Sequence, residues 1–348
     1  MEALFVIAMT MPANFQIQLI SRPSGEASAA NFALVETTTP TLADGDVLVR
    51  NHFLSLDPYM RGRMNDGKNY AAPQPLNAVM IGGTVGQVVE SKNEHFAVGD
   101  HVVGMGGWQE YLLVGAAQRG LIQKVDTSRV PLSAYLGPVG MPGVTGWYGL
   151  TQIIDIKAGE TLVVSAASGA VGTVVGQLAK ARGARVVGIA GGSAKCAFVV
   201  EELGFDACVD YKEHTDPKAL FKAIKTACPA GIDGYFENVG GVAMNAVFAN
   251  CNAFARVAVC GMISGYNGEP IPLQFPQLIL TQRMKVQGFI VSEHMEFWPQ
   301  ALKELGGMVA SGNLKFKESI AQGIAAAPEA FCGLLKGQNF GKQLVKLV

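Results

Sequence analysis

"TLVVSAASGAVGTVVGQLAKARG" occupies residues 161–183 and combines an apolar run, a glycine-containing turn and a helical pattern. The run "TLVVSA" (161–166) is typical of a strand that is buried on both faces of a sheet. Apolar residues then recur at the spacing i, i+3, i+4 and i+7, namely Val171, Val174, Val175 and Leu178. This spacing predicts an amphipathic helix that begins at the turn. The stretch therefore predicts one strand, turn and helix unit of a parallel sheet.

The turn carries small residues at the three positions of a G-x-G-x-x-G type dinucleotide motif. These positions hold Ala167, Gly169 and Gly172, so the first departs from the strict motif. A glycine at 169 lets the backbone approach a pyrophosphate, and glycines at 172 and 176 let the helix pack closely on the sheet. The helix would direct its N-terminal N–H groups at the anion. Glycines also serve ordinary tight turns, but the strand before and the helix after favour dinucleotide binding.

Apolar strands alternate with helical stretches from about residue 151 onward, which predicts a doubly wound α/β sheet. The six expected strands are 161–166, 185–189, 207–211, 231–237, 256–261 and 286–291. From Phe15 to about Val125 the chain instead shows short β-type runs, which favour a partly open β-barrel or sandwich. The last stretch returns to this β texture. We therefore expect one domain from residues 1–138 and 317–348, and a Rossmann domain from 139–316.

Composition and charge exclude several classes of protein. The 27 Lys and Arg residues nearly cancel the 28 Asp and Glu residues, and no basic run suggests a nucleic-acid or membrane-surface partner. No apolar run approaches the ~20 residues of a membrane span. The start "MEALFVIAM" lacks the basic segment of a signal peptide, and we expect an extension preceding Met9 or Met11.

The cysteines are scattered and contain no C-x-x-C pair. This distribution predicts a reduced, cytoplasmic compartment in which the thiols act as small apolar residues. The six positions are Cys196, Cys208, Cys228, Cys251, Cys260 and Cys332.

The segment "GIAGGSAK" (188–195) lies where a carboxylate would bind the ribose 2′-hydroxyl of NAD, about 20 residues after the glycine turn. No Asp or Glu occurs between Glu160 and Glu201. A carboxylate would repel a 2′-phosphate, whereas Ser193 and Lys195 can donate hydrogen bonds to one beside the Gly191 backbone. The pattern predicts NADP(H). The alternative for Lys195 is a solvated residue in the first turn of a helix capped by Ser193.

The order of a β-rich domain, a Rossmann domain and a returning C-terminus resembles the medium-chain dehydrogenase/reductase superfamily. Its zinc alcohol dehydrogenases carry His and Glu ligands where this chain has Gly83 and Thr84, and a Cys ligand where it has Asp57. A catalytic zinc needs three protein ligands. The histidines show no paired spacing, and they are His52, His95, His101, His214 and His294. We therefore expect no metal.

Five motifs carry a closer resemblance, and they are "LSLDPYMRGRM", "GMPGVTGWYGL", "YFENVGG", "CGMISGYN" and "LLKGQNFGKQLV". They resemble the leukotriene B4 dehydrogenase/prostaglandin reductase and alkenal double-bond reductase family, in particular its bacterial NADPH-dependent curcumin reductase branch. The resemblance implies a GroES-like β-barrel domain, NADPH as cofactor, reduction of the C=C bond of enones or alkenals, and a homodimer. The apolar strand "VQGFIV" would suit a sheet edge covered by a second chain.

The resemblance also implies cofactor contacts, carried over residue by residue. Gly169, Ala170, Val171 and Gly172 would hold the pyrophosphate, and Gly191, Ser193 and Lys195 the 2′-phosphate. Further contacts would come from Met141, Thr145, Tyr211, Asn238, Cys260, Ile263, Ser264, Tyr266, Phe289, Val291 and Asn339. Thr281 stands where mammalian members have tyrosine, which makes the acyl-tail side of the pocket different from theirs.

Reducing an enone adds hydride to its β-carbon and builds negative charge on its carbonyl oxygen, so the site needs a hydrogen-bond donor for that oxygen. Tyr266 is the first candidate and Tyr59 the second, because a phenol stays protonated at neutral pH. The alternative for each is a packing or turn residue. The α-carbon proton would come from Tyr266 or from solvent. Arg61 and Arg63 would either steer anionic substrates or pair with nearby aspartates, Asp57 and Asp66.

Two other functions compete with the double-bond reductase. A quinone oxidoreductase of the same superfamily would use NADPH without zinc on the same fold, and a non-catalytic NADPH-binding protein could have kept the fold. The segments "DPYMRGRM" and "GMISGYN" favour the reductase over the first, and the full phosphate loop with Tyr266 and Asn339 favours it over the second.

Overall fold

A computed structural model describes residues 12–214 and 216–348. The expectation for the first ten residues therefore lies outside the described part of the chain. Within it, residues up to 138 form strands β1 (Ala13–Leu19), β2 (Phe32–Thr38), β3 (Val47–Ser55), β4 (Ala78–Val79), β5 (Thr84–Ser91), β6 (His101–Gly104), β7 (Tyr111–Val114) and β8 (Ile122–Lys124). One short helix, α1 (Tyr59–Arg63), follows β3.

These strands form two sheets, which confirms the expected β-rich region. β1 pairs with β2 and β4 in a three-stranded antiparallel sheet, and β3, β5, β6 and β8 belong to a seven-stranded sheet in which β7 also pairs with β3. Alternation along β1 places Ile17 and Leu19 in a core shared with Trp108 and Phe331. An antiparallel bridge between Gln16 and Gln109 joins the two sheets.

The Rossmann part contains strands β9 (Thr161–Ser165), β10 (Arg185–Ala190), β11 (Ala207–Asp210), β12 (Ile232–Glu237), β13 (Cys251–Val259) and β14 (Lys285–Gly288). They form a parallel sheet in the order β11-β10-β9-β12-β13-β14. All six expected strands are thus confirmed, in the strand order of a dinucleotide-binding fold. β14 ends three residues before the expected 291, because Val291 begins a 3₁₀ turn.

The helices around this sheet are α2 (Met141–Tyr148), α3 (Gly172–Ala181), α4 (Ser193–Ala197), α5 (Pro217–Ala227), α6 (Gly241–Phe248), α7 (Gln277–Thr281) and α8 (Trp298–Ala310). The sequence of β9 is continuously apolar because the strand is buried on both faces of the sheet. Leu162 and Val164 pack in the core that contains α3, whereas Val163 points into the opposite core, which contains α5. Burial on both faces is the general reason that parallel strands do not alternate.

The C-terminal segment returns to the first sheet. It contains β15 (Glu318–Gln322), α9 (Ala327–Leu335) and β16 (Lys342–Lys346). β16 pairs parallel with β15 and antiparallel with β3, where Leu344 lies opposite Ser55. The last strands therefore complete the seven-stranded sheet begun at residue 47. In the described residues no helix is long and apolar enough to cross a membrane.

Candidate functional site

The turn after β9 has the geometry required of a phosphate loop. Ala166 adopts a left-handed conformation with φ of 47°, and the Gly169 N–H donates to its carbonyl at 2.9 Å. α3 begins at Gly172, where a Cβ would lie 2.4 Å from the Ala166 oxygen and 2.9 Å from the Ala167 Cα. Gly172 is therefore required by close packing of the helix on the strand end. The left-handed residue precedes the expected first motif position by one, so a buried alanine at 167 is tolerated.

Gly176 has a different packing partner from the expected one. A Cβ at this position would lie 1.7 Å from the ring of Phe205, which precedes β11. The sequence predicts that Gly176 lets α3 pack on the sheet itself. That prediction is wrong, because the residue that packs against Gly176 is Phe205. The remaining prediction for α3 is confirmed, since Val174, Val175 and Leu178 are fully buried against the sheet.

The C-terminal segment lies directly on the phosphate loop. The Gly341 N–H donates to the Ser168 carbonyl at 3.1 Å, and a parallel bridge joins Gly169 to Gly341. Asn339 donates from Nδ2 to the Gly341 carbonyl at 2.7 Å. The fold thus brings Asn339 beside the predicted pyrophosphate positions, which include Ala170 and Val171.

The turn between β10 and α4 is held by a carboxylate that the sequence analysis missed. Asp210, the last residue of β11, accepts hydrogen bonds from the N–H groups of Gly192 (2.8 Å) and Lys212 (3.0 Å). Gly192 has φ of 104° and precedes the helix, whose first residue is Ser193. The alternative in which Ser193 caps this helix is therefore wrong, because Gly192 is the N-cap residue. Its hydroxyl makes no cap and is exposed at the turn.

Two lysines and a tyrosine surround this turn. A Cβ at Gly191 would lie 2.8 Å from the Tyr211 ring and 3.0 Å from the Lys212 side chain, so both side chains pack directly over the glycine. Lys195 Nζ donates to the Gly337 carbonyl at 2.7 Å, which contradicts the view of Lys195 as a merely solvated residue. Burial lowers the pKa of Lys195, and the charge of Lys212 lowers it further.

This donor set fits the 2′-phosphate of NADP(H). Two ammonium groups that repel each other gain from an anion between them, and the Ser193 hydroxyl adds a neutral donor. Lys212 was missed by the sequence analysis, although it directly follows Tyr211 in "ACVDYK". Asp210 serves the turn itself, because its Oδ1 atom accepts the two backbone N–H groups that shape it.

A buried carboxyl group positions Asn238. Glu237 is fully buried and accepts hydrogen bonds from the Ser165 hydroxyl at 2.8 Å, the Tyr235 hydroxyl at 2.5 Å and the Gly240 N–H at 3.0 Å. Asn238 donates from Nδ2 to the Ser165 carbonyl at 2.8 Å. The end of β12 is thereby fixed beside the end of β9, as expected for a ligand site at the carboxyl ends of strands.

The segment after β13 lies against this turn. Ser264 donates from its hydroxyl to the Val239 carbonyl at 2.6 Å, and the Ile263 N–H approaches the Asn238 carbonyl at 3.4 Å. The Cys260 N–H donates to the Glu237 carbonyl at 2.8 Å, and burial raises the pKa of its thiol to about 12. Cys260 to Tyr266 therefore line the strand ends, where the resemblance places the nicotinamide.

Four further predicted contacts lie around α2. Met141 and Thr145 are in its first turns, where the Thr145 hydroxyl donates to the Met141 carbonyl at 2.7 Å. Phe289 lies at the other end of α2. A Cβ at Gly149, the residue that follows this helix, would be 3.0 Å from the Phe289 ring. Val291 is buried in the hydrophobic core beside them. Of these four residues, Val291 is the one that belongs to the buried hydrophobic core.

Tyr59 is the first residue of α1 and packs against the core of the β-rich region. Burial and the nearby Asp57 raise the pKa of Tyr59, and burial raises the pKa of Tyr266. The charge of Tyr70, when ionised, would raise the pKa of both, so Tyr70 lies near each of them. Tyr70 was not predicted, because its segment "GKNYAAP" carries no strand or helix pattern.

The arginines of α1 do not pair as considered above. Arg61 is buried and donates to Asn267 Oδ1 at 3.1 Å, to Asn65 Oδ1 at 2.6 Å and to the Gly25 carbonyl at 2.6 Å. Asp66 instead pairs with Arg22 at 3.4 Å, and Asp57 with Lys342 at 3.0 Å. The alternative in which Arg61 or Arg63 pairs with these aspartates is therefore wrong. Arg61 ties α1 to the loop that carries Tyr266.

Positions 57, 83 and 84, which hold metal ligands in the zinc enzymes, have other roles here. Asp57 accepts from Lys342, while Thr84 and Gly83 lie in and beside β5. Among residues 12–214 and 216–348, no three His, Cys, Asp or Glu side chains cluster closely enough to hold a metal ion.

Comparison with known proteins agrees with this architecture. Residues 16–122 match the family model described as the N-terminal domain of oxidoreductase, and residues 170–306 match the one described as zinc-binding dehydrogenase. The chain is 44% identical to NADPH-dependent curcumin reductase of Escherichia coli, over 94% of this chain and 95% of that protein. It is 41% identical to prostaglandin reductase 1 of Rattus norvegicus, over 92% and 95%. The crystal structure of CurA in complex with NADPH from Vibrio vulnificus superposes with a TM-score of 0.89 at 42% identity, covering 96% of this chain and 99% of that chain.

Proposed function

The chain belongs to the medium-chain dehydrogenase/reductase family that includes prostaglandin reductase 1 and NADPH-dependent curcumin reductase, and from this premise we propose that it reduces the C=C bond of α,β-unsaturated ketones and aldehydes with NADPH. The observation that carries the proposal is the hydrogen bond from Arg61 to Asn267. It holds α1, with Tyr59, against the turn that carries Tyr266. Tyr59 and Tyr266 are the two phenols that this proposal assigns to the substrate.

The residues that bind NADPH come from both parts of the chain. Lys195, Lys212 and Ser193 hold the 2′-phosphate, and the loop from Gly169 to Gly172 holds the pyrophosphate. The C-terminal Asn339 contacts the cofactor from above this loop. When bound, NADPH supplies the hydride.

Tyr266 provides the hydrogen bond that stabilises negative charge on the substrate's carbonyl oxygen. Burial raises the pKa of this phenol, so that it remains a protonated donor at neutral pH. A single donor of this type contributes about 3 kcal/mol to transition-state stabilisation. Tyr59, whose pKa is also raised, is the second donor on the opposite wall. Arg61 acts as a positioning residue because it holds Asn267, the residue that follows Tyr266.

The remaining features belong to the same proposal. The enzyme acts without a metal, in the reduced cytoplasm, on a small-molecule substrate and without nucleic-acid or membrane partners. Residues 1–138 and 317–348 form the GroES-like domain, and residues 139–316 form the cofactor domain. The homodimer forms through the sheet edge at β14, whose Val286 is 38% exposed.

A parallel substrate panel tests the function. Purified protein is given NADPH with enones ranging from short alkenals to diarylheptanoids, and in a separate series with a benzoquinone, while NADPH absorbance is followed. We expect turnover of enones, with a product mass and carbonyl signature showing C=C rather than C=O reduction. Faster turnover of the quinone alone would indicate a quinone oxidoreductase. NADPH binding without turnover of any compound would indicate a non-catalytic protein.

A further inference from the structure

Two cysteines lie in direct contact behind the 2′-phosphate turn. Cys196 is in α4 and Cys208 is in β11, and their sulfur atoms are 2.9 Å apart. Both residues are half-buried, unlike Cys228, Cys251 and Cys332, which are buried. Cys260, also half-buried, belongs to the nicotinamide end of the site. The view of all six thiols as inert apolar residues does not hold for this pair.

The pair is reachable from solvent. An open groove of about 520 Å³ is lined by both cysteines together with Ser193, Asp210 and His214, among others. A molecule the size of a hydroperoxide fits this groove. The chain also separates the pair by only eleven intervening residues, so a bond between them would close a short loop within one sheet edge.

The two thiols differ in character. Cys208 donates a hydrogen bond to the sulfur of Cys196, which lowers the pKa of Cys196, whereas the same bond and burial raise the pKa of Cys208. Cys196 is therefore the more readily ionised of the two thiols, and Cys208 is held against it as the hydrogen-bond donor. Reactive cysteines that sense oxidants combine a stabilised thiolate, exposure and an adjacent resolving cysteine.

We propose that Cys196 and Cys208 are a hydroperoxide-reactive dithiol that closes to a disulfide at the edge of the cofactor site. The Cys196 sulfur attacks the terminal oxygen of the hydroperoxide, the O–O bond breaks, and the alcohol (or water, from hydrogen peroxide) leaves with the Cys196 proton. Cys208 then attacks the sulfur of the resulting sulfenic acid, its S–O bond breaks, and hydroxide leaves as water with the Cys208 proton. Two thiols and one hydroperoxide thus give one disulfide, one alcohol and one water.

Closing the disulfide changes the cofactor site. An S–S bond is about 2.05 Å long, so the two sulfurs must approach by roughly 0.9 Å. Cys196 directly follows Lys195, and Cys208 lies two residues before Asp210, which holds Gly192. The approach draws α4 toward β11 and moves Lys195 from its position beside Gly337. The oxidised protein therefore binds NADPH more weakly, and bound NADPH slows oxidation by the same coupling. This consequence, but not disulfide formation itself, rests on the proposed function.

The first test follows the thiols directly. The reduced full-length protein is treated with hydrogen peroxide, alkylated and digested with trypsin, which releases "CAFVVEELGFDACVDYK" (196–212) with both cysteines and no others. We expect this peptide to be unalkylated and lighter by two hydrogen atoms than its reduced form. After reduction with dithiothreitol and a second alkylation, it should carry two alkyl groups. The Cys208→Ser variant should give a sulfenic acid at Cys196 instead, and the Cys332→Ser control should behave like the unaltered protein. Alkylation of both cysteines after peroxide, or overoxidation of Cys196 without a disulfide in the unaltered protein, would overturn the proposal.

The second test measures coupling to the cofactor. NADPH affinity is measured by fluorescence titration before oxidation, after oxidation and after reduction with dithiothreitol. We expect about tenfold weaker binding to the oxidised form, as for loss of one charge-assisted hydrogen bond, with full recovery on reduction. Equal affinity of the two forms would refute the coupling. Failure of the reduced protein to bind NADPH would instead refute the proposed function, whatever the peptide masses show.

Discussion

Lys342 Nζ lies 3.0 Å from Asp57 Oδ1, although 285 residues separate the two along the chain and both are more than nine-tenths buried. The ammonium group also donates to the Leu56 carbonyl at 2.7 Å and to the Gln343 carbonyl at 3.1 Å. Its three hydrogens therefore each have an acceptor. The pair joins the last strand to the segment that leads into α1 and Tyr59.

Removing the ammonium group should destabilise the protein strongly. Lys342→Met leaves the Asp57 carboxylate buried without its cation, and breaking a buried pair in this way costs about 3–5 kcal/mol. Urea unfolding followed by fluorescence measures the loss. Lys346→Met, at an exposed position of the same strand, is the matched control and should change stability little. A double variant, Asp57→Asn with Lys342→Met, should recover part of the loss; no recovery would argue against an ion-pair origin.

Replacing Glu237 should lower the stability of the protein, and the loss should grow with the number of hydrogen bonds that the new side chain cannot make. Glu237→Leu removes the acceptor of the Ser165 and Tyr235 hydroxyls and of the Val239 and Gly240 N–H groups, at about 1–3 kcal/mol for each buried group left without a partner. Glu237→Gln retains one carbonyl oxygen, and the Tyr235 hydroxyl can rotate to accept from the amide. The midpoint temperature of thermal unfolding should therefore be highest for the unaltered protein, lower for Glu237→Gln and lowest for Glu237→Leu. Equal losses for Gln and Leu would contradict the assigned role.

Lys195→Ala should impair NADPH use selectively. The variant loses a charged donor to the 2′-phosphate, which NADH lacks, so KM for NADPH should rise about tenfold or more while KM for NADH changes little. Lys212→Ala should have a smaller effect in the same direction. Lys218→Ala, on the exposed side of α5, serves as the control. A similar rise of KM for both cofactors would indicate a structural role for Lys195.

NADPH affinity should fall at alkaline pH. Burial and Lys212 lower the pKa of Lys195 in the free protein, and the 2′-phosphate favours its charged form, so binding raises this pKa again. Affinity is therefore full below the lowered pKa of the free protein and declines as the pH rises through it. Titrations with NADPH across this range test the slope. Lys195→Arg, which stays charged, should flatten it, and an unchanged slope in that variant would assign the effect to another group.

Tyr266→Phe should lower kcat more than it affects cofactor binding. Removing one donor to a developing oxyanion costs about 100-fold in kcat. Steady-state rates with an enone and NADPH titration of the same variant separate the two effects. Tyr59→Phe should cost less, because Tyr59 is the second donor. Full enone-reductase activity in the Tyr266 variant would remove Tyr266 from the mechanism.

The parts of the fold predicted from sequence are those encoded in local patterns. The six parallel strands and the helix from Gly172 follow from apolar spacing within short segments, and structure confirms them. The phosphate loop was predictable for the same reason. Ser193 illustrates the limit, because whether a residue caps a helix or begins it depends on the φ of Gly192, which no spacing reveals.

The site residues missed by sequence analysis come from neighbouring strands or distant segments. Asp210 and Lys212 reach the 2′-phosphate turn because Ala190 pairs with Asp210 in the parallel sheet. Their relevance appears only once the strand order is known. The sequence likewise offers only the nearby arginines as possible partners of Asp57, because its actual partner, Lys342, is close in space and remote in sequence. Side-chain contacts across a sheet leave no periodic trace in the chain.

The pairing of β16 with β3 sets an order on how the protein acquires its shape during synthesis. A ribosome releases the strand around Leu344 long after its neighbour around Ser55, because 288 residues of chain lie between them. The Rossmann sheet between them can fold as a unit while the first sheet still lacks one of its inner strands. Because the same late segment supplies Gly341 to the turn after β9, the nascent chain can complete this turn only after residue 341 has emerged.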